Sequence, residues 1–209
     1  MFCLVFFIAI ALAKDSVIMS ADRDSNGNPI TFIKFEFGKC YYMGSAEGVT
    51  ASMKFSKNGD NLKGKVYTEA DCKGNSIEGE ISINDFIEEY CSLYDIATGK
   101  NCSGSIMKAP DHVAFNSLIP DDSSCSNKDN TVRVYYTDAC FACGEGSCKR
   151  EEEDGIFYKN VFSGQSCDGN RTSHEQIFKC DTCTEGIHYQ CGAISTMVLV
   201  VFAILAFFL

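Results

Sequence analysis

Thirteen cysteines limit what this 209-residue chain can fold into, because all but Cys3 lie between two uncharged apolar ends, residues 1–13 and 193–209. That layout predicts a leader that exports the middle segment into an oxidising compartment, and a hydrophobic tail that holds it on a membrane. Removing Cys3 with the leader leaves an even set of twelve, and therefore up to six disulfides: Cys40, Cys72, Cys91, Cys102, Cys125, Cys140, Cys143, Cys148, Cys167, Cys180, Cys183 and Cys191. Each disulfide adds about 2–4 kcal/mol by restricting the unfolded chain, so six together match the net stability of an ordinary domain. A chain braced in this way needs little helix and only a thin core. Cysteine spacing leaves the connectivity open.

Residues 2–12 are apolar but too few to span a bilayer, and Ala11-Leu12-Ala13 is the small-x-small pattern that signal peptidase cuts after. The mature chain is expected to begin near Lys14, although the leader has no Lys or Arg before its apolar run; the alternative is an uncleaved signal anchor. The 17 residues of 193–209 would make a helix of about 25 Å, shorter than the ~30 Å hydrocarbon core, with no basic residue after it. This favours a GPI signal over a bare transmembrane helix. A spacer of about 8–12 residues would put the attachment site near Thr184 and discard Cys191, whereas the small triplet Cys191-Gly192-Ala193 keeps that cysteine.

Every charged residue lies in 14–192, so the net charge of −10 belongs to the ectodomain. A surface of that sign repels nucleic acid and anionic headgroups, so nucleic acid is not expected as a partner, and the charge reads as a solvated shell. Two sequons, at Asn101 and Asn170, fit glycosylation of an exported protein.

The only prolines are Pro29, Pro110 and Pro120, and the last two bracket a stretch without cysteine. A boundary at Pro110 divides the ectodomain into modules 14–109 and 110–192, each with an even cysteine count. An internal repeat supports the division. Val66-Tyr67-Thr68-x-x-x-Cys72-x-Gly74-Asn75 matches Val161-Phe162-Ser163-x-x-x-Cys167-x-Gly169-Asn170, the pattern of a strand ending in a cystine-pinned turn. An alternating strand precedes the next cysteine in each module, 31–37 before Cys40 and 131–136 before Cys140. The aromatic residue five places before Cys-x-Gly, with a leader and many cysteines, resembles the cysteine-rich secreted and surface proteins of amoeboid protists. This resemblance covers about a tenth of the chain and implies no particular activity.

The fold class expected is mostly β, a disulfide-rich ectodomain of two modules. The clearest element is a hairpin in which 49–55 and 62–66 flank a type I′ turn at Asn58-Gly59. That turn would set Phe55 opposite Leu62, Met53 opposite Gly64 and Ala51 opposite Val66 on one face, with Ser52, Lys54, Lys63 and Lys65 on the other. Helical periodicity occurs once, in Ile83, Phe86, Ile87, Tyr90 and Cys91, with Ser82 or Asn84 as N-cap, and predicts a turn or two. Strands are expected over 131–136, 156–162 and 175–179.

Cys140-x-x-Cys143 and Cys180-x-x-Cys183 could clamp a zinc ion, but in an oxidising lumen Cys148, Cys167 and Cys191 are nearer at hand as disulfide partners. Asp22, Asp24 and Asn26, followed by Gly27, match the first half of a calcium loop; Pro29 and Ile33 break the second half, which leaves a turn entering a strand as the plainer expectation. Residues 151–154, four acidic side chains after Lys149-Arg150, suggest an exposed loop. Tyr41-Tyr42 and Tyr135-Tyr136 could stack on sugars, though alternating aromatics in strands are more often core. No G-x-S-x-G elbow or phosphate-binding glycine loop occurs, His174-Glu175 lacks the second histidine of a zinc-protease helix, and His112, His174 and His188 nominate no triad. The sequence therefore predicts a membrane-anchored cell-surface protein with a binding or coat role, no catalytic residues, no cofactor, and an extracellular protein or glycan as partner. A hydrolase without a recognisable motif and a small inhibitor or ligand trap are the alternatives.

Overall fold

The computed structural model describes residues 15–98 and 102–192 of the chain. In order, the first half contributes β1 (Asp15–Arg23), β2 (Pro29–Glu36), β3 (Cys40–Ala46), β4 (Val49–Asn58), β5 (Asn61–Tyr67), β6 (Ser76–Ser82), α1 (Ile83–Thr98) and β7 (Ser103–Lys108). The second half contributes β8 (Ala114–Leu118), β9 (Val132–Tyr136), β10 (Phe141–Cys143), β11 (Gly146–Glu153), β12 (Ile156–Phe162), β13 (Arg171–Lys179), β14 (Thr182–Thr184) and β15 (Ile187–Cys191). The fold is mostly β, as the alternating and β-branched segments predict.

Three sheets form. A central sheet runs β14-β15-β8-β9-β2-β1-β7, and two four-stranded satellites run β3-β4-β5-β6 and β10-β11-β12-β13. The central sheet takes strands from both halves, so the boundary expected at Pro110 lies in the link between β7 and β8 without separating two bodies. Within each half the first strand lies between the second and the last, and the halves meet where β2 pairs antiparallel with β9. Phe32 lies opposite Tyr135 at the middle of that seam, and their rings stack at 5.1 Å. This arrangement is a pseudo-twofold, with each half sending one satellite onto the same face of the shared sheet.

Burial explains the two faces. Val17, Ile18 and Met19 of β1 are buried on both sides, as expected of an inner strand. Val17, Met19, Ile33 and Phe35 pack with Tyr41, Phe55 and Leu62 of the first satellite and with Phe86 and Tyr90 of α1. On the same face, Ala114 and Tyr136 pack with Phe157 and Phe178 of the second satellite. The opposite face carries Ile18, Phe32, Phe115 and Tyr135, against which Met107 and Ala109 pack as the chain crosses from β7 to β8.

Two local expectations are corrected. The β4–β5 hairpin pairs Asn58 with Asn61, so its loop is Gly59-Asp60, with positive φ at Gly59 (60°) and not at Asp60. Such a loop takes its glycine first, as type II′ turns do, instead of the Asn58-Gly59 type I′ turn. Phe55 consequently faces Gly64, and Met53 faces Val66. A shift of two residues keeps every side chain on its expected face. The helix, expected to be a turn or two, is 16 residues long, with the Ser82 hydroxyl accepting the Asp85 amide 3.0 Å away as its N-cap.

Six disulfides close within the halves: Cys40–Cys72 and Cys91–Cys102 in the first, and Cys125–Cys183, Cys140–Cys167, Cys143–Cys148 and Cys180–Cys191 in the second. Each C-x-x-C therefore sends its two sulfurs to different partners.

Candidate binding surface

The repeated windows occupy equivalent places, and their shared hydrogen bonds explain the shared residues. In the first satellite the buried Ser52 hydroxyl donates to the Glu69 carbonyl and accepts the Cys72 amide at 2.9 Å. In the second, buried Ser147 donates to the Gly164 carbonyl at 2.5 Å and accepts the Cys167 amide at 2.7 Å. Thr68 and Ser163 donate their amides to the carbonyls of Asn75 and Asn170, 3.0 Å in both. Cys72 and Cys167 share φ 55°, and Gly74 and Gly169 have φ 75° and 74°, a left-handed pair that the glycine accommodates without strain. These residues are structural in both copies; from sequence Ser52 is expected only as an outward hairpin residue and Ser147 is not singled out, because both serines lie well before their windows.

What the copies do not share is the strand beside each serine. β4 continues as Met53-Lys54-Phe55, and β11 continues as Cys148-Lys149-Arg150 followed by Glu151-Glu152-Glu153. The acidic run, expected as a loop, is the outer half of β11, paired with β12 through an Asp154-Gly155 turn with φ of 51° and 77°. Alternation sends neighbouring charges to opposite faces.

On one face, Lys149 Nζ lies 2.7 Å from Glu151 Oε1, which holds the lysine pKa up and the carboxyl below its ordinary value. Glu151 Oε2 accepts from Asn160 Nδ2 at 2.8 Å, and Asn160 Oδ1 lies 2.7 Å from His174 Nδ1. The His174 ring stacks on Tyr158 with centroids 3.9 Å apart. Fully buried Asn160 thus links an ion pair to an oriented histidine.

On the other face, the Arg150 guanidinium lies over Tyr136 and Phe141, 5.5 and 4.9 Å from their centroids. Beside it an open groove of about 650 Å³ is lined by Asp111, His112, Asp138, Arg150, Glu152 and Gly192, and also by Val113, Lys149, Glu151 and Glu153. The His112 ring meets Tyr135 edge-on at 4.7 Å, and burial together with nearby Lys34 pushes its pKa down. Of these, the sequence singled out His112, the charged run and Gly192, the last only as part of an attachment triplet. Asp111 and Asp138 carry no local signal, since only the chain crossing and β9's exit bring them together.

The other sequence candidates lie apart from this groove. Asp24 Oδ1 accepts the amides of Asn26 (2.9 Å) and Asn28 (2.8 Å), and Oδ2 lies 3.1 Å from Asn28 Nδ2. The Asn28 side chain and those amides hold its pKa down, as an Asx turn would. Asp22 lies within β1 opposite Thr31. Among the described residues no group of three or more His, Cys, Asp or Glu could hold a metal. Tyr41 and Tyr135 are core, while Tyr42 and Tyr136 are half-buried. His188 is buried, its Nδ1 without a partner, and burial lowers its pKa. Asn170 is exposed at the turn before β13; Asn101 and residues 1–14 and 193–209, with the leader and tail expected there, lie outside the described residues. No described helix is long and apolar enough to cross a membrane.

No family model, no curated protein and no solved structure matches this chain. The class is defined by the fold itself: a disulfide-rich β scaffold of the kind found in secreted and surface cysteine-rich proteins.

Proposed function

We propose that the protein is displayed on the outer face of the plasma membrane by its C-terminal segment and acts there by binding an extracellular glycan or protein through the groove beside Arg150. The observation that carries this reading is the divergence of the copies. Satellites with the same serine, cystine and glycine framework carry Phe55 in the core of one, and Arg150 at a groove in the other, on equivalent strands. A guanidinium held flat on two rings, within a lining where carboxylates outnumber cations, disfavours anions and suits a polar ligand without excess negative charge, such as a neutral sugar or a peptide segment.

The place of β15 bears on the anchor. Cys191 ends that strand and pairs with Cys180, so attachment near Thr184 would remove a strand of the central sheet and one disulfide. Attachment at or beyond Cys191-Gly192 keeps both. Phospholipase C release from intact cells, followed by mass analysis of the freed terminus, tests the anchor; retention of a chain ending at Leu209 gives a transmembrane span instead. For binding, the full chain is screened against glycan arrays and extracellular proteins. Arg150→Ala is expected to lower affinity for the captured ligand at least tenfold, about 1.4 kcal/mol. Unchanged capture by Arg150→Ala would remove the groove from the account.

A further inference from the structure

We infer that β6 is the contact by which two copies of this chain pair, antiparallel and centred on Gly79. Its sequence, Ser76-Ile77-Glu78-Gly79-Glu80-Ile81-Ser82, reads the same in both directions. When an antiparallel strand pairs with its own copy about a twofold axis through one residue, positions equally far from that residue lie opposite each other. With Gly79 opposite Gly79 of the second copy, Ile77 meets Ile81, and Ser76 meets Ser82. The interface is therefore matched in size and polarity along its whole length.

The strand is open to such a partner. β6 is the outer strand of the first satellite, it pairs with β5 in seven consecutive positions without a bulge, and Ser76 to Glu80 are all exposed. Ile77 is 81% exposed, next to Val66 at 45% on the same face. Pairing would continue that apolar row from Met53 through Val66 and Ile77 to Ile81 and Leu62 of the second copy. Glu78 and Glu80 would lie opposite each other across the axis, a repulsion of up to about 1 kcal/mol per pair. Each is already flanked by lysines on β5: Lys63 Nζ lies 2.6 Å from Glu78, and Lys65 is Glu78's register partner. Four lysines thus face four carboxylates in the dimer.

The equivalent strand of the second half serves as a control within the molecule. β13 is interrupted by two register shifts, faces Lys159 and Glu175 where β5 and β6 have Gly64 and Gly79, and begins beside the Asn170 sequon. Bulges and charge are usual means of closing a sheet edge, and a glycan at Asn170 would add bulk there. The other edges are short or covered: β10 and β14 have three residues each, β3 is bonded to the β8–β9 loop through Tyr42 and Ser45, and β7 lies against α1.

A Cβ at Gly79 meets nothing within 4 Å, so Gly79→Cys should fold. The variant full chain, oxidised at high protein concentration, is expected to give a covalent dimer on a non-reducing gel, since opposed Cα atoms lie about 4.5–5.5 Å apart. Ser76→Cys, about 20 Å from its own copy at 3.3 Å per residue, and Glu175→Cys in β13 are expected to stay monomeric. Adding Ile77→Lys to Gly79→Cys should abolish the dimer, which guards against cross-linking by scrambled disulfides. Equal cross-linking at positions 79 and 175, persistence with Ile77→Lys, a monomer at every position, or a cross-link from position 79 to a different protein would each overturn the inference.

Discussion

The two halves share a framework and differ in what they add to it. Both have a first strand between the second and the last, a four-stranded satellite, a buried serine capping a cystine turn, and a disulfide ending the last strand of the half or just before it, Cys91–Cys102 and Cys180–Cys191. Each half has an aromatic cluster, Phe35, Tyr41 and Phe55 in the first and Tyr136, Phe157, Phe178 and Tyr189 in the second; the first half adds α1, whose Phe86 and Tyr90 enlarge its cluster. The second has no helix among its described residues; it adds Cys125–Cys183 and Cys143–Cys148 and puts charge where the first half has apolar core. The helix's added apolar burial in one half and the two added disulfides in the other are thus two ways of bracing one scaffold, as expected where a small core alone stabilises a domain only weakly.

Truncating one core residue in each half tests this most severely. Phe35→Ala and Phe157→Ala should each cost about 3–5 kcal/mol in urea unfolding. Because the central sheet joins the halves, both variants should still unfold in one transition; two resolved transitions would show that the halves are separable. Next come the disulfides unique to the second half. With sequence separations of 58 and 5, chain entropy assigns about 4 kcal/mol to Cys125–Cys183 and about 2 kcal/mol to Cys143–Cys148, measured as paired Cys→Ala variants. A reversed order would place the effect in native packing instead.

Ser52→Ala and Ser147→Ala should be milder and equal, about 1–3 kcal/mol each, because each strands a cysteine amide and a carbonyl. Unequal values would mean that the two turns only look alike. The smallest effect is acid sensitivity. All three histidines belong to the second half, and burial holds His112 and His188 below the ordinary value. The unfolded chain then takes up protons first as pH falls through about 6.5, so the stabilisation from keeping both rings neutral is present at neutral pH and lost on acidification. Tm should fall between pH 7.5 and 5.5, and by less in His188→Gln, which isolates that share.

Local signals made the repeat, the cysteine parity and the hairpin's faces legible, because each depends on residues close together in sequence. The hairpin's register failed at one point: Asn58-Gly59 and Gly59-Asp60 are both good turn pairs, and the choice rests on whether the second turn residue needs positive φ. α1 exceeds the expected turn or two because the helical spacing of Ile83, Ile87 and Tyr90 continues past Cys91 through Tyr94 and Ala97, beyond the cysteine at which the expected pattern ends. The pairing of β2 with β9, and the groove that gathers Asp111, Asp138 and Arg150, join residues far apart in the chain, which no periodicity encodes. The second copy of each framework feature was visible as a motif, whereas its different use was visible only as side chains in place.

The β2–β9 seam has a consequence of its own. Two half-chains meeting across such an axis as separate molecules would assemble only above some threshold concentration, and each change at the junction would be felt on both sides at once. Joining them in a single polypeptide makes the encounter intramolecular and lets the two sides of the junction vary independently. Phe32 of β2 and Tyr135 of β9, the latter under Lys34 from β2, are that independence at the midpoint itself.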